Sequence, residues 1–272
     1  MEIHKPKPWH GWREFLKEYL IIVVGVLTAL AAEQAVEWLH WRHQVEVAQG
    51  SLSFDLKRAV AWAGAQQIVS PCVGARLDQM ETLLEQAQAT GRLPEVGRIP
   101  RNGRATWLLR SWPALTSSQV LGHMSNREQI SLAGLAAAVE GAHNSAANLD
   151  SEWEALRTLA GPARAISGSE VSAFRRAVFA AREQAFGLRV ASERIETFAR
   201  QTELVPEAEL VAARNDGVQT IRDHVINGPM CQSLPTRFEP GGDENTANLA
   251  APMRPFGAGD MDVMGVRKEP LK

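Results

Sequence analysis

Fourteen consecutive residues without a charge, Tyr19 to Ala32 (YLIIVVGVLTALAA), restrict this chain more than any other feature. As a helix they rise about 21 Å, short of the roughly 30 Å hydrocarbon core of a bilayer. Phe15 and Leu16 extend the stretch on one side, Ala35 and Val36 on the other, and Lys17 can reach back toward headgroups. Aromatic residues bracket it. Trp9 and Trp12 precede the span, and Trp38 and Trp41 follow it. From Trp12 to Trp38 a helix covers about 39 Å, close to the ~40–45 Å between the two interfacial zones. These four tryptophans are read as membrane-interface anchors, with lipid as a partner.

Basic residues set the expected orientation. Lys5, Lys7, Arg13 and Lys17 come before the span, and only Arg42 falls in the twenty residues after it. The positive-inside rule keeps such an N-terminus in the cytoplasm. The expected layout is a cytoplasmic segment over 1–14, a transmembrane helix over 15–37, a helical periplasmic domain over 38–233 and a disordered tail over 234–272. The rival reading is a signal peptide cleaved near Ala31, since Ala29-Leu30-Ala31 fits a small-residue site. Both readings send the same domain across the inner membrane. Gly25 and Ala29 form a small-xxx-small pair, a candidate helix–helix contact within the membrane.

Beyond the span the pattern is helical throughout, and β-branched runs are scarce. Val45, Leu52, Leu56, Ala59 and Ala63 share one helix face, while Glu46, Gln49, Asp55 and Lys57 are assigned to others. Ser70-Pro71 predicts a stop, because a residue before proline avoids helical backbone. A second helix is expected from Cys72 to Thr90, ending at Gly91, then a loop over 92–103. Two short helical pieces on either side of Pro113 are read in 104–122. Ser125–Glu128 and Ser167–Glu170 are capping boxes that open two long helices. Pro206 starts a shorter helix and Val218 to Ile226 forms a separate piece. The fold class is all-α: a transmembrane helix continuing into a bundle of four to five helices, with a tail rich in Gly and Pro.

No pattern associated with zinc proteases, serine hydrolases, P-loops or dinucleotide folds occurs, so the reading leans away from an enzyme and assigns no catalytic residue, cofactor or metal. His40 and His43, three apart and near Glu33 and Glu37, are read as part of a polar helix just outside the membrane. Arg175, Arg176, Arg182, Arg189 and Arg194 are read as a solvated basic face paired with Glu183, Glu193 and Glu196. The formal net charge of −2 gives no reason to expect nucleic acid. The two cysteines, Cys72 and Cys231, are a candidate disulfide in an oxidising compartment.

The run Gly25-Val26-Leu27-Thr28-Ala29-Leu30 followed by Glu37-Trp38, together with Trp112-x-x-Leu115-x-x-Ser118-x-x-Leu121, resembles a group of uncharacterised bacterial single-pass membrane proteins. The resemblance covers about a quarter of the chain. It implies an anchored helical extracytoplasmic domain and carries no catalytic residues. The expected role is protein–protein interaction or scaffolding in the cell envelope, with another envelope protein or a second copy as partner. The alternative is a small-ligand sensor domain acting through a partner protein.

Overall fold

The computed structural model describes residues 11–102, 107–225 and 228–239. Its dominant element is one helix, α1, running without a break over Trp12–Thr90, 79 residues and about 118 Å. It is the one described helix long and apolar enough to cross a membrane, judged by length and composition. We call the end of the bundle nearer this apolar segment proximal.

Pro71 lies inside α1 and does not end it, contrary to the stop expected at Ser70-Pro71. The ring removes one backbone hydrogen bond, but Pro71 is exposed, so water can take the carbonyl left unpaired. Ser70 Oγ also donates to the Gln66 carbonyl at 2.8 Å. On either side α1 is locked into the same core, by Val60 and Ala63 before the proline and by Val73, Leu77 and Met80 after it. Burying those side chains outweighs a local cost of about 3 kcal/mol. The helix ends where expected, at Gly91 in the left-handed conformation (φ 66°).

The segment after Gly91 contributes a two-residue strand, β1 (Arg92–Leu93), paired antiparallel with β2 (Arg164–Ala165). A short helix α2 (Trp112–Ser117) and a 3-10 turn over Val120–His123 bring the chain to the proximal end. Pro113 sits in the first turn of α2 and does not break it, as a residue with no N–H to satisfy can. Helix α3 (Asn126–Arg157) then runs distally, and α4 (Gly168–Gln201) returns. Both open on the capping boxes read from the sequence: Ser125 Oγ accepts from the Glu128 N–H, and Ser167 Oγ from the Glu170 N–H. Helix α5 covers Glu207–Val225 in one piece, merging the two short helices expected there.

Helices α3 and α4 form an antiparallel pair, and α1 packs against α4 on one flank and α5 on another. The core includes Leu52, Leu56, Leu77, Leu84, Leu132 and Trp153, all at or below 1% exposure. Trp153 Nε1 donates to the Pro100 carbonyl at 2.8 Å, so its one polar group is satisfied inside. Residues 234–239, assigned by composition to the tail, hold contacts: the Gly97 N–H donates to the Pro235 carbonyl at 2.6 Å and the Phe238 N–H to Glu95 Oε1 at 2.7 Å. Residues 240–272 lie outside the described residues.

Candidate interaction surface

Between residues 36 and 59, α1 has two apolar faces. The first holds Trp41, Val45, Ala48, Leu52 and Leu56 and packs onto the bundle, with Leu52 and Leu56 fully buried. At 100° per residue its opposite is the line through Val36, Leu39, Val47, Gly50 and Phe54, with the exposed His43 between Leu39 and Val47. That line faces outward: Val36 is 68% exposed, Leu39 58%, Val47 55% and Phe54 46%. Farther along α1 the same line passes through Lys57, Ala61 and Gly64, and there α5 covers it. Lys57 Nζ meets Glu209 at 3.2 Å, and Ala61 is fully buried. A Cβ built on Gly217 of α5 would overlap the Ala61 backbone, so the two helices touch main chain to side-chain-free main chain. The outward face of α1 is thus already a helix-docking face at one end and bare at the other.

The proximal surface is built around that rod. His123, at the end of the 3-10 turn, stacks on Trp41 with ring centroids 4.0 Å apart. Trp41 Nε1 reaches Glu37 at 3.5 Å. Trp41 therefore packs along the edge of the bundle as well as following the apolar segment. Trp12 and Trp38 are exposed, and Arg42 lies over the Trp38 ring at 5.3 Å. Trp9 falls outside the described residues. Gly25 and Ala29 lie on an exposed helix segment, and among the described residues a Cβ at Gly25 would meet open space.

Two surface grooves occur where α3 begins and α4 ends. One of about 470 Å³ is lined by Asn126, Arg127, Ile130, Ser131 and Gln201. The other, about 390 Å³, runs beside the Arg127–Glu203 ion pair (2.6 Å) and the Gln49–Glu128 hydrogen bond (2.9 Å). Glu203 has a left-handed backbone (φ 55°). No group of three or more His, Cys, Asp or Glu side chains with metal-binding geometry occurs among the described residues. His40 lies edge-on to Trp41, and His143 is exposed.

Cys72 and Cys231 are joined by a disulfide, with Cα atoms 4.7 Å apart and 159 residues of separation. One turn along α1, Arg76 is 1% exposed. Its Nη2 donates to the carbonyls of Pro229 and Gln232, each at 2.7 Å. Burial pushes this guanidinium's pKa down from its ordinary value. Its Nε and Nη1 have no hydrogen-bond partner among the described residues. Leu234 N donates to Gln79 Oε1 at 3.0 Å, so disulfide, arginine and glutamine together hold the 228–239 segment on the distal half of α1.

Two other polar side chains, Asp55 and Glu196, hold the bundle together and escaped the sequence reading. Asp55, expected on a polar face, is 3% exposed. It accepts from the Ser111 N–H at 2.8 Å, from Ser111 Oγ at 2.7 Å and from Arg58 at 3.0 Å, tying α1 to the start of α2. Desolvation lowers the Arg58 pKa, against the raising effect of Asp55. Glu196, expected on the basic face of α4, is buried and takes Arg214 of α5 and Gln67 of α1 at 3.0 Å each; Arg214 also bonds Gln67. On that basic face Arg175 pairs with Glu81 and Arg182 with Asp78 of α1, while Arg189–Glu193 follows the expected pairing. No protein family, curated protein or solved structure matches this chain.

Proposed function

We propose that this protein is a membrane-tethered helical module of a bacterial envelope, whose bundle lies in the periplasm and binds another envelope protein or a second copy of itself. The observation that carries the reading is the unbroken α1. One helix supplies both the apolar segment and a central element of the bundle, and it leaves an apolar face uncovered between them. Such a face, joined rigidly to a span, suits a protein that presents a surface at a fixed height and angle above a membrane.

The orientation rests on Lys5, Lys7, Arg13 and Lys17 ahead of the span. The Cys72–Cys231 bond independently favours the periplasm, since disulfides persist in oxidising compartments. The likeness to single-pass proteins of the W-x-x-L-x-x-S type points the same way.

The test is fractionation of cells carrying the full chain with a C-terminal tag, followed by in-cell crosslinking and protease treatment of spheroplasts. The expected result is full-length protein in the membrane pellet, resistant to alkaline extraction, with its tag digested from outside and a discrete crosslinked species. A soluble product shortened by about 31 residues refutes the anchor, as cleavage near Ala31 would give. A tag protected until the inner membrane is broken refutes the orientation.

A further inference from the structure

We infer that the bare face of α1 is the seam of a parallel homodimer, formed by the same helix of a second copy from the span up to Phe54. The inference rests on the anchored reading above and names its partner.

Extended downward at 3.6 residues per turn, the outward line through Val36, Val47 and Phe54 passes through Ala32, Ala29 and Gly25 in the apolar segment. From Gly25 to Phe54 the line is about 43 Å long; no Asp, Glu, Lys or Arg falls on it, and His43 is its one ionisable side chain. Its sides differ sharply. Glu33, Glu37 and Gln44 flank it on one side, Arg42 and Glu46 on the other. Trp12 and Trp38 project from the opposite side, where lipid headgroups can take their rings.

Three arguments select a second copy as the occupant. Two chains inserted the same way have parallel axes, and a twofold axis between them sets each residue of the line opposite its own twin. On this line that places glycine or alanine against itself, leucine, valine or phenylalanine against itself, and the His43 imidazole against its twin. Any other face of the juxtamembrane helix would set Glu37 or Arg42 near an identical charge, which repels. Continuity supplies the second argument. The same face already receives a helix higher up, where α5 presses Gly217 onto Ala61, and small residues recur below at Gly50, Ala32, Ala29 and Gly25. Area supplies the third. A strip about 43 Å by 10 Å buries roughly 900 Å² over two copies, below the ~1,200 Å² that freely diffusing partners need. Copies held in one membrane have already lost most of their rotational freedom, so a strip of this size suffices there.

The native cysteines are bonded to each other, so a single introduced cysteine is the one free thiol. Full-length V36C, V47C and F54C variants, with E37C and Q44C as off-line controls, are treated in native membranes with copper phenanthroline and oxygen. All five positions are exposed, so folding is not at stake. The expected result is a covalent homodimer at positions 36, 47 and 54 in at least fivefold higher yield than at 37 and 44. Adding G25I and A29I to V47C should cut its yield several-fold. Equal yields on and off the line indicate random collision and overturn the dimer. Monomer at every position in membrane-pelleted protein overturns it too and leaves the anchor standing. Line positions shielded from maleimide without homodimer assign the face to another protein's helix and overturn the second copy. Protein found only in the soluble fraction overturns the anchored reading, and the dimer with it.

Discussion

Reducing the Cys72–Cys231 bond should cost this protein a large part of its stability, and the structure sets the size. The two cysteines are 159 residues apart, so the bond closes a loop that spans most of the bundle. In the chain-entropy treatment a loop of that length restricts the unfolded state by about 5 kcal/mol at 25 °C. The folded state keeps much of what holds the 228–239 segment after reduction. Arg76 still donates to Pro229 and Gln232, Leu234 still bonds Gln79, and Pro235 still accepts from Gly97. The penalty therefore falls mainly on the unfolded ensemble, and the reduced protein should still fold. For a bundle of this size each kcal/mol is worth roughly 2–4 °C, which places the fall in Tm at about 10–20 °C. The assay is urea and thermal unfolding of the detergent-solubilised full chain, followed by circular dichroism and by tryptophan fluorescence, with and without reductant. Thiol titration of the denatured, unreduced chain should find no free thiol. A loss below about 1 kcal/mol, or two free thiols before reduction, would refute the reasoning.

Other substitutions probe the packing separately. Gly217→Ala should destabilise by several kcal/mol, because the new methyl meets the Ala61 backbone, whereas Gly141→Ala, with open space around its Cβ, should stabilise by up to about 1 kcal/mol; paired urea titrations read both, and equal effects would sink the account of the α1–α5 seam. Glu203→Gly should raise stability by up to about 1 kcal/mol, since it relieves a left-handed backbone and gives up only the exposed pair with Arg127, as the same titrations would show. The Glu170 carboxyl is held below its ordinary pKa of 4.5, chiefly by the Ser167 backbone N–H, then by the Ser167 hydroxyl and Arg164. A depressed folded pKa means stabilisation that is full above pH 4.5 and fades as pH falls through the lower folded value. Glu170→Gln should accordingly flatten the acid dependence of amide protection in the first turn of α4, and an unchanged slope below pH 4.5 would contradict it.

What could be read from the sequence was local. Ser125 and Ser167 mark helix starts because the capping residue and its glutamate are three apart and need no distant partner. Gly91 ends α1 for the same kind of reason, a backbone conformation that only its own turn demands. Pro71 misleads because its local cost is met by packing against residues scattered along the chain. Gly217 misleads in the opposite sense. In isolation it looks like a break between two short helices, yet it is the residue that lets α5 lie on Ala61. Asp55, Arg76 and Glu196 were invisible as buried groups, since the partners that satisfy them, Ser111, the carbonyls after Gly228, and Arg214, are set by the fold. The outward face of α1 was missed for a different reason. A helix with apolar residues on two opposite sides shows little net amphipathicity, so the periodicity that finds one face hides the other.

A bundle hung from its span by a flexible linker could turn freely above the membrane, and nothing packed below would constrain what is presented above. Here the linker is a helix, so every residue between the apolar segment and the bundle fixes both a rise of 1.5 Å and a turn of 100°. The side of the apolar segment that carries Gly25 and Ala29 is then bound in phase to the side that carries Val47 and Phe54. The opposite side is equally bound to Trp41 and the His123 turn stacked upon it. Clamps on the distal half, from α4 through Glu196 and from α5 through Gly217, resist rotation of the rod within the bundle. A helix that packed on the small-residue side of the apolar segment would therefore meet the outward line as it rises. The grooves beside Arg127 and Glu203 lie where α3 begins and α4 ends, and none of the outward-line residues lines them.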